Sequence, residues 1–142
     1  MDKYIKVYIA SPYTKGDVAI NVKRQLDCFD DLMTLGFAPF APLYSHFQHM
    51  AHPRPYQDWI EMDKVWVEAC DCLLRLDGES SGADGEVKLA LELGKPVFYS
   101  IKELHKFYFP KGLDVVDFLE KKLNAEINKG WDPSIGTLHD GN

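Results

Sequence analysis

The chain has 142 residues, of which 46% are hydrophobic and 27% are charged, a mixture typical of a single soluble globular domain. Its formal net charge is −6, so no surplus of basic side chains remains to neutralise a phosphate backbone, and we expect no nucleic-acid partner. The sequence shows no secretion signal, no apolar run long enough to span a membrane and only three cysteines, so we expect a cytoplasmic protein without a membrane partner or a disulfide framework.

The first part of the sequence predicts a strand, a helix and a second strand. The first strand covers Tyr4 to Ser11, which is rich in β-branched and aromatic residues and ends at a Ser-Pro turn. Asp17 is the expected N-cap of the helix and Gly36 its stop signal, and residues 37–43 form a short second strand. The apolar residues of this helix recur at the spacing of one helical face: Val18, Val22, Leu26, Phe29, Leu32 and Met33.

The remaining elements continue this alternation. A His- and Pro-rich loop is predicted over 44–55, a helix over 56–71 and a strand over 72–77. A small-residue loop then leads into a helix with Glu86 in its first turn. A strand over 95–101 and a helix over 113–127 follow. We expect one domain over 1–142, with its core at about 4–128 and a polar tail at 129–142.

Alternating strands and helices predict an α/β fold, a small doubly wound parallel sheet of Rossmann-like or flavodoxin-like type with helices on both faces. Such sheets bind ligands at the carboxyl ends of their strands. The loops after the first three strands should therefore converge on one site. They are residues 11–17, 43–56 and 77–86.

The loop after the first strand, with the sequence SPYTKGD, is neither a Walker A loop nor a GxGxxG fingerprint. It carries the hydroxyls of Ser11, Tyr13 and Thr14 and the cation of Lys15 beside a helix start, which suits a sugar hydroxyl or a single phosphate. An ordinary strand-to-helix turn is the alternative interpretation.

Three histidines, His46, His49 and His52, recur at every third residue in the loop that follows the second strand. Two prolines follow directly, and no cysteine or carboxylate accompanies the histidines at a familiar metal-ligand spacing. We therefore expect no metal and no cofactor. His46 is the histidine that we expect at a ligand pocket, and a solvated loop is the alternative.

The helix over 56–71 places Trp59, Asp63 and Trp66 on one face, because they are spaced four and three residues apart. Trp66 alone would be a core residue. A carboxylate on the same face needs a polar partner or a function, because its burial is costly. Asp63 is therefore a candidate site residue.

Glu86 lies where the SSGADG segment meets the next helix. A glutamate at a helix N-terminus is mildly stabilising, by about 0.3–1 kcal/mol, and that role alone would explain it. However, the segment, including Gly82, is small enough for a ligand to lie against the backbone, at the carboxyl end of a buried strand. A carboxylate there is suited to attack an acetal-like carbon.

Four stretches of the sequence together resemble the nucleoside 2-deoxyribosyltransferase superfamily, which includes nucleoside 5′-monophosphate N-glycosidases. The stretches are YIASPYT, GFAPFAPLYSH, DWIEMDKVWVEACDCLLRL and SSGADGEVKLALELGKPV, within about residues 4–101. The chain is most similar to a small uncharacterised branch with the YIASPY opening. The resemblance implies a nucleoside or nucleotide substrate, a homo-oligomer of two or more chains and no cofactor.

The resemblance also implies roles for individual residues. Glu86 matches the nucleophile that attacks the anomeric carbon, and Asp63 matches an aspartate that positions the sugar or assists the leaving base. Ser80 or Ser81 matches the serine of the small-residue loop, and Asp77 or Glu79 would contact the base. The loop from Ser11 to Lys15 would lie near the sugar or its 5′ group, and Trp59, Tyr13 or Tyr44 would stack on the base.

Two other functions are compatible with the same fold. A nucleotide-binding regulatory module without turnover would use Glu86 only to hydrogen-bond ribose hydroxyls. A cytokinin-type phosphoribohydrolase would carry a GGxGTxxE loop, whereas this sequence has SSGADGE. Cleavage or transfer at an N-glycosidic bond is therefore the function that the sequence predicts.

Overall fold

The computed structural model describes residues 3–112 and 114–129. The chain divides into two compact units, one up to Pro110 and one from Lys111 onwards. The first unit contains β1 (Lys6–Ala10), α1 (Val18–Thr34), β2 (Ala38–Phe40), a 3-10 turn (Pro42–Tyr44), α2 (Ser45–Ala51), α3 (Tyr56–Ala69), β3 (Cys72–Arg75), α4 (Ser81–Glu92), β4 (Val97–Phe98) and α5 (Ile101–Tyr108). The second contains α6 (Val115–Lys129). The first residue of the tail predicted at 129–142 is therefore the last residue of α6, and residues 130–142 lie outside the described residues.

The four strands form one parallel sheet in the order β2-β1-β3-β4. Val7 of β1 is in register with Pro39 of β2 and with Cys72 of β3, and Leu73 of β3 pairs with Val97 of β4. The chain leaves β1 first towards β2 and then crosses to β3 on the other side. The topological switch point therefore lies between β1 and β3, as in flavodoxin-like sheets, and the predicted α/β fold is confirmed.

The central strands are buried on both faces, which explains their near-continuous apolar sequences. Successive residues of β1 point to opposite faces: Val7 and Ile9 pack on one side, and Tyr8 and Ala10 on the other. The first side includes residues of α1 and α5, and the second includes residues of α3 and α4. Helices thus cover both faces of the sheet, as the doubly wound arrangement requires.

The first helix confirms most of the sequence prediction. The Asp17 side chain accepts a hydrogen bond from the Ile20 N–H at 3.0 Å and caps the helix, and Gly36 follows its end with a φ of +92°. Two details differ. Met33 is 57% exposed and does not belong to the buried face, whereas the polar Gln25 is completely buried on it.

Three local predictions were wrong, and in each case a helix forms where a loop or strand was expected. Most of the expected loop over 44–55 is the 3-10 turn and α2. Residues Ile101–Tyr108 form α5, which Ser100 caps by accepting from the Glu103 N–H at 3.1 Å, so β4 is limited to two residues. The SSGADG segment begins α4, because the Ser80 hydroxyl accepts from the Ala83 N–H at 3.1 Å, so Glu86 lies in the second turn of α4.

All three cysteines are free and buried, Cys28 on α1, Cys70 just before β3 and Cys72 at its start, where each packs as a small apolar side chain. Within the described ranges, no helix is both long enough and apolar enough to cross a membrane.

Candidate active site

A cavity of about 630 Å³ opens at the carboxyl ends of β1 and β3, at the topological switch point. Its wall combines the loop after β1, the 3-10 turn after β2, the loop after β3 and the facing sides of α3 and α4. The three loops that the sequence predicted to converge therefore do so. A cavity of this size fits a small organic ligand.

Glu86 enters the cavity from α4, and its carboxylate accepts a hydrogen bond from the hydroxyl of Tyr8. Tyr8 lies in the middle of β1 and is completely buried, so its ring is fixed by the sheet and by stacking on Phe40. Burial raises the pKa of Glu86 from 4.5 to about 8, because desolvation disfavours the charged carboxylate. The Tyr8 hydroxyl opposes this effect, since it stabilises the charged form.

Asp63 enters the same cavity from α3. Burial raises the pKa of its carboxyl from 3.8 to about 7. Trp59 lies one helical turn earlier and also lines the cavity, and its Nε1 donates to Nδ1 of His49 at 3.0 Å. Asp63 therefore approaches the cavity beside an aromatic surface whose orientation a hydrogen bond fixes.

Two carboxyl groups with raised pKa values now share one cavity. A carboxyl group whose pKa lies near neutrality can donate a proton and take one back at physiological pH. A second carboxyl group that ionises in the same range can act as a nucleophile or stabilise developing positive charge. The arrangement can thus perform acid–base and nucleophilic chemistry on one ligand.

The N-terminal turn of α4 forms another part of the wall, through Ser80, Ser81 and Gly82. A Cβ atom at Gly82 would lie 3.3 Å from the Tyr56 hydroxyl, so glycine allows this close approach. Behind the turn, the buried Arg75 donates to the Gly78 carbonyl at 2.8 Å and to Asp84 at 2.9 Å. These bonds hold the loop after β3 against the end of its own strand.

The loop after β1 contributes Ser11, Tyr13, Thr14 and Lys15 to the cavity. Burial raises the pKa of Tyr13, whose hydroxyl lies 2.6 Å from Nδ1 of His46. Lys15 forms an ion pair with Glu79 at 3.6 Å, and Glu79 lines the same wall. The only cation predicted in this loop is therefore already matched by a carboxylate.

Two residues of the predicted site lie outside the wall of the cavity. His46 does not line the cavity, but its Nδ1 lies 2.6 Å from the hydroxyl of Tyr13, which does. Asp77 faces solvent and forms an ion pair with Arg24 of α1, because the loop after β3 turns its side chain away from the sheet.

The expectation that Trp66 is a core residue was wrong. Its side chain is 42% exposed and stacks on Phe40 with ring centroids 4.7 Å apart. It lines a second, more apolar cavity beside β2, and Tyr44 also lines that cavity rather than the larger one.

Sequence reasoning missed Tyr8, Gln25 and Arg54. Tyr8 lay in the first strand, where an aromatic residue is unremarkable, and only the sheet shows that its hydroxyl reaches Glu86. Gln25 offered a signal, since it is a polar residue at a position of the apolar face of α1. Arg54 lines the cavity and forms an ion pair with Asp58 at 3.3 Å.

Comparison with known proteins gives a family and partial structural likenesses. The family model described as "domain of unknown function (DUF7768)" matches residues 5–100. Among solved structures, the chain is similar to a 2-deoxyribosyltransferase from the psychrotolerant bacterium Bacillus psychrosaccharolyticus, with 22% identity and a TM-score of 0.49. That match covers 65% of this chain and 69% of the other. No curated protein matches the chain.

Proposed function

We propose a function for this chain, which belongs to the DUF7768 family, from the residues of its cavity. The description of that family assigns no activity. The proposed reaction is cleavage or transfer at the N-glycosidic bond of a nucleoside or nucleoside 5′-monophosphate. The observation that carries it is the meeting of Glu86, hydrogen-bonded by Tyr8, and Asp63 in one cavity at the switch point.

In the proposed mechanism, the Glu86 carboxylate attacks C1′ of the sugar as the bond to the base breaks. Positive charge develops at C1′, and a carboxylate at that position stabilises it before and during bond formation. The hydrogen bond from Tyr8 orients one oxygen of Glu86 and leaves the other for the sugar. The product of this step is a glycosyl-enzyme ester.

Asp63 supplies the proton in the proposal. A departing base is a poor leaving group while its ring nitrogen carries negative charge, and Asp63 with a pKa of about 7 holds a proton in the neutral range. A second base or water then attacks C1′ of the ester, gives its proton to the Asp63 carboxylate and releases Glu86. Trp59 offers the departing and arriving bases an aromatic surface beside Asp63.

The pH dependence of activity would follow from the same two carboxyl groups. The reaction needs Glu86 ionised and Asp63 protonated, and burial places their pKa values at about 8 and about 7. Activity should therefore rise and then fall with pH, with its maximum between pH 7 and 8, and the two limbs would belong to the coupled pair.

One observation favours a second function, ligand binding without turnover. A Glu86 that keeps its proton up to a pH of about 8 can donate a hydrogen bond to a sugar hydroxyl rather than attack carbon. In that case nucleosides would bind best below pH 8, and binding would weaken as Glu86 ionises.

The deciding experiment measures free base released from nucleosides and 5′-monophosphates, ribo and deoxy, with and without a second base. We expect release from at least one substrate, its loss in Glu86→Gln, and a new nucleoside when a second base is present if transfer occurs. Glu92→Gln, which changes an exposed carboxylate on the same helix, is the matched control and should retain activity. Saturable binding without release would identify the binding module instead.

We further propose that the active form is a homo-oligomer located in the cytoplasm. Several large apolar side chains between residues 44 and 66 are exposed, and a second copy of the chain would bury them. They are Tyr44, Phe47, Met50, Tyr56, Met62, Val65 and Trp66. Light scattering of the wild type and of Val65→Glu tests this, and a wild type that is monomeric at every concentration would contradict it.

A further inference from the structure

Gln25 is a completely buried amide in the middle of α1, on the face that packs against the sheet. It also lines the candidate cavity. A buried amide costs free energy unless its donors and acceptor are all bonded, so its partners reveal what holds it there.

The amide connects two of the loops that form the cavity. Its Nε2 donates to the Ile9 carbonyl at 3.1 Å and to Oγ of Ser11 at 2.8 Å, and its Oε1 accepts from the Leu43 N–H at 2.8 Å. These partners belong to the end of β1, the loop after β1 and the 3-10 turn after β2. The backbone partners also fix the orientation of the amide, because a carbonyl can only accept and an N–H can only donate.

This fixed orientation determines what the Ser11 hydroxyl can do. Since Nε2 of Gln25 donates to Oγ, the Ser11 hydroxyl proton must find an acceptor elsewhere. Within residues 3–112 and 114–129, the Ser11 hydroxyl has no acceptor for its proton. Ser11 is only 7% exposed and lines the cavity. Its proton is therefore available to a ligand in the cavity.

We propose that Gln25 is a positioning residue, which holds the Ser11 hydroxyl as a hydrogen-bond donor towards a hydroxyl oxygen of the bound sugar. This inference rests on the proposed function, because it takes the ligand to be a nucleoside. The remaining cavity residues of the loop, Tyr13, Thr14 and Lys15, are polar and suit a hydroxylated ring, whereas the aromatic surface for the base comes from Trp59 of α3.

The test measures Kd by calorimetry in a Glu86→Gln background, which prevents turnover. The ligands are adenosine, cytidine and their 2′-, 3′- and 5′-deoxy analogues. We expect that one deoxy position weakens binding about tenfold, the size of one neutral hydrogen bond. Ser11→Ala and Gln25→Met should each weaken binding of the parent nucleoside about tenfold and no longer distinguish it from that analogue.

Ser11→Ala and one control variant keep the outcome interpretable. Ser11→Ala leaves the bonds of Gln25 to Ile9 and Leu43 in place, so it tests the proposal even if Gln25→Met does not fold. Gln48→Met, a matched change at an exposed position of α2 that does not line the cavity, should bind like the wild type.

The results separate this inference from the proposed function. If Ser11→Ala still distinguishes the same analogue from its parent, or if no nucleoside binds, the inference is overturned. If Gln25→Met folds, binds the parent normally and keeps the discrimination, Gln25 does not position Ser11 and the inference is also overturned. If binding shows the expected pattern but the Glu86-containing chain releases no base, the inference stands and the proposed chemistry fails.

Discussion

Replacing Glu86 with glutamine should stabilise the protein at alkaline pH and leave its stability unchanged in acid. Burial raises the pKa of Glu86 from 4.5 to about 8, so the folded chain keeps a proton that the unfolded chain has already lost. Folding stability must then fall as the pH rises from about 4.5 to about 8, because the folded state binds more protons in that window. Glutamine cannot ionise, so the variant escapes this loss.

The size of the effect follows from the pKa difference. A rise from 4.5 to about 8, at about 1.4 kcal/mol for each pH unit, sets an upper limit of about 5 kcal/mol. Glu86 is only partly buried as a residue, and the Tyr8 hydroxyl bonds its charged form, so we expect about 2 kcal/mol at pH 8.5. That corresponds to an increase in Tm of roughly 5 °C.

Urea unfolding followed by tryptophan fluorescence at pH 4.5 and pH 8.5 measures this difference. Glu92→Gln is the control, since it removes an exposed carboxylate from the same helix and should change stability little at either pH. Asp63→Asn should follow Glu86→Gln, with its gain developing between about pH 4 and 7. A Glu86→Gln variant that is equally stable to wild type at pH 8.5, or less stable, would refute the reasoning.

Three further predictions concern other residues around the cavity. Tyr8→Phe removes the hydrogen bond that favours ionised Glu86, so the pKa of Glu86 should rise further above that of Asp63. Because the higher of the two pKa values governs the descending limb of the pH–activity profile, that limb should move upward by about one pH unit and the maximum activity should fall. An unmoved limb would show that the bond has no such role. Glu79→Gln releases Lys15 from its ion pair, so nucleoside 5′-monophosphates should bind severalfold more tightly relative to nucleosides. The ratio of the two Kd values measures this change. An unchanged ratio would mean that the phosphate binds away from Lys15. Gly78→Ala should lower the free energy of unfolding, measured by urea titration, by about 1–3 kcal/mol. Gly78 has a φ of +119°, and a Cβ atom there would lie 2.8 Å from the ring of Pro12 in the first loop. An unchanged free energy of unfolding would mean that this loop shifts freely.

The sequence predicted the parts of this protein that local patterns control. Three features depend on neighbours within a few residues: the apolar strand segments, the Asp17 cap and the spacing of apolar residues on one face of α1. For this reason the α/β alternation and the parallel sheet could be predicted. The order of the elements then required the three loops to converge. For that reason Ser11 and Glu86 could be assigned to one site before their positions were known, whereas Asp63 was a candidate because of its helix face and the family resemblance.

Local patterns predicted the wrong helix starts where a side-chain N-cap decides where the helix begins. Ser80 and Ser100 each begin a helix through a side-chain bond to an N–H three residues later, and the sequence around them is also compatible with a loop. Glu86 therefore lies one turn further into its helix than expected. That shift takes it away from the helix end and places it beside Tyr8.

Only the tertiary structure decided the chemistry of the individual groups. Tyr8 and Glu86 are far apart in the sequence, and their hydrogen bond exists because the sheet places β1 beneath α4. The same packing removes Asp63 and Glu86 from water and raises their pKa values, while it leaves Asp77 in solvent. Composition and periodicity determine which residues form strands and helices, but desolvation and hydrogen bonding depend on contacts between distant segments, and those contacts exist only in the folded chain.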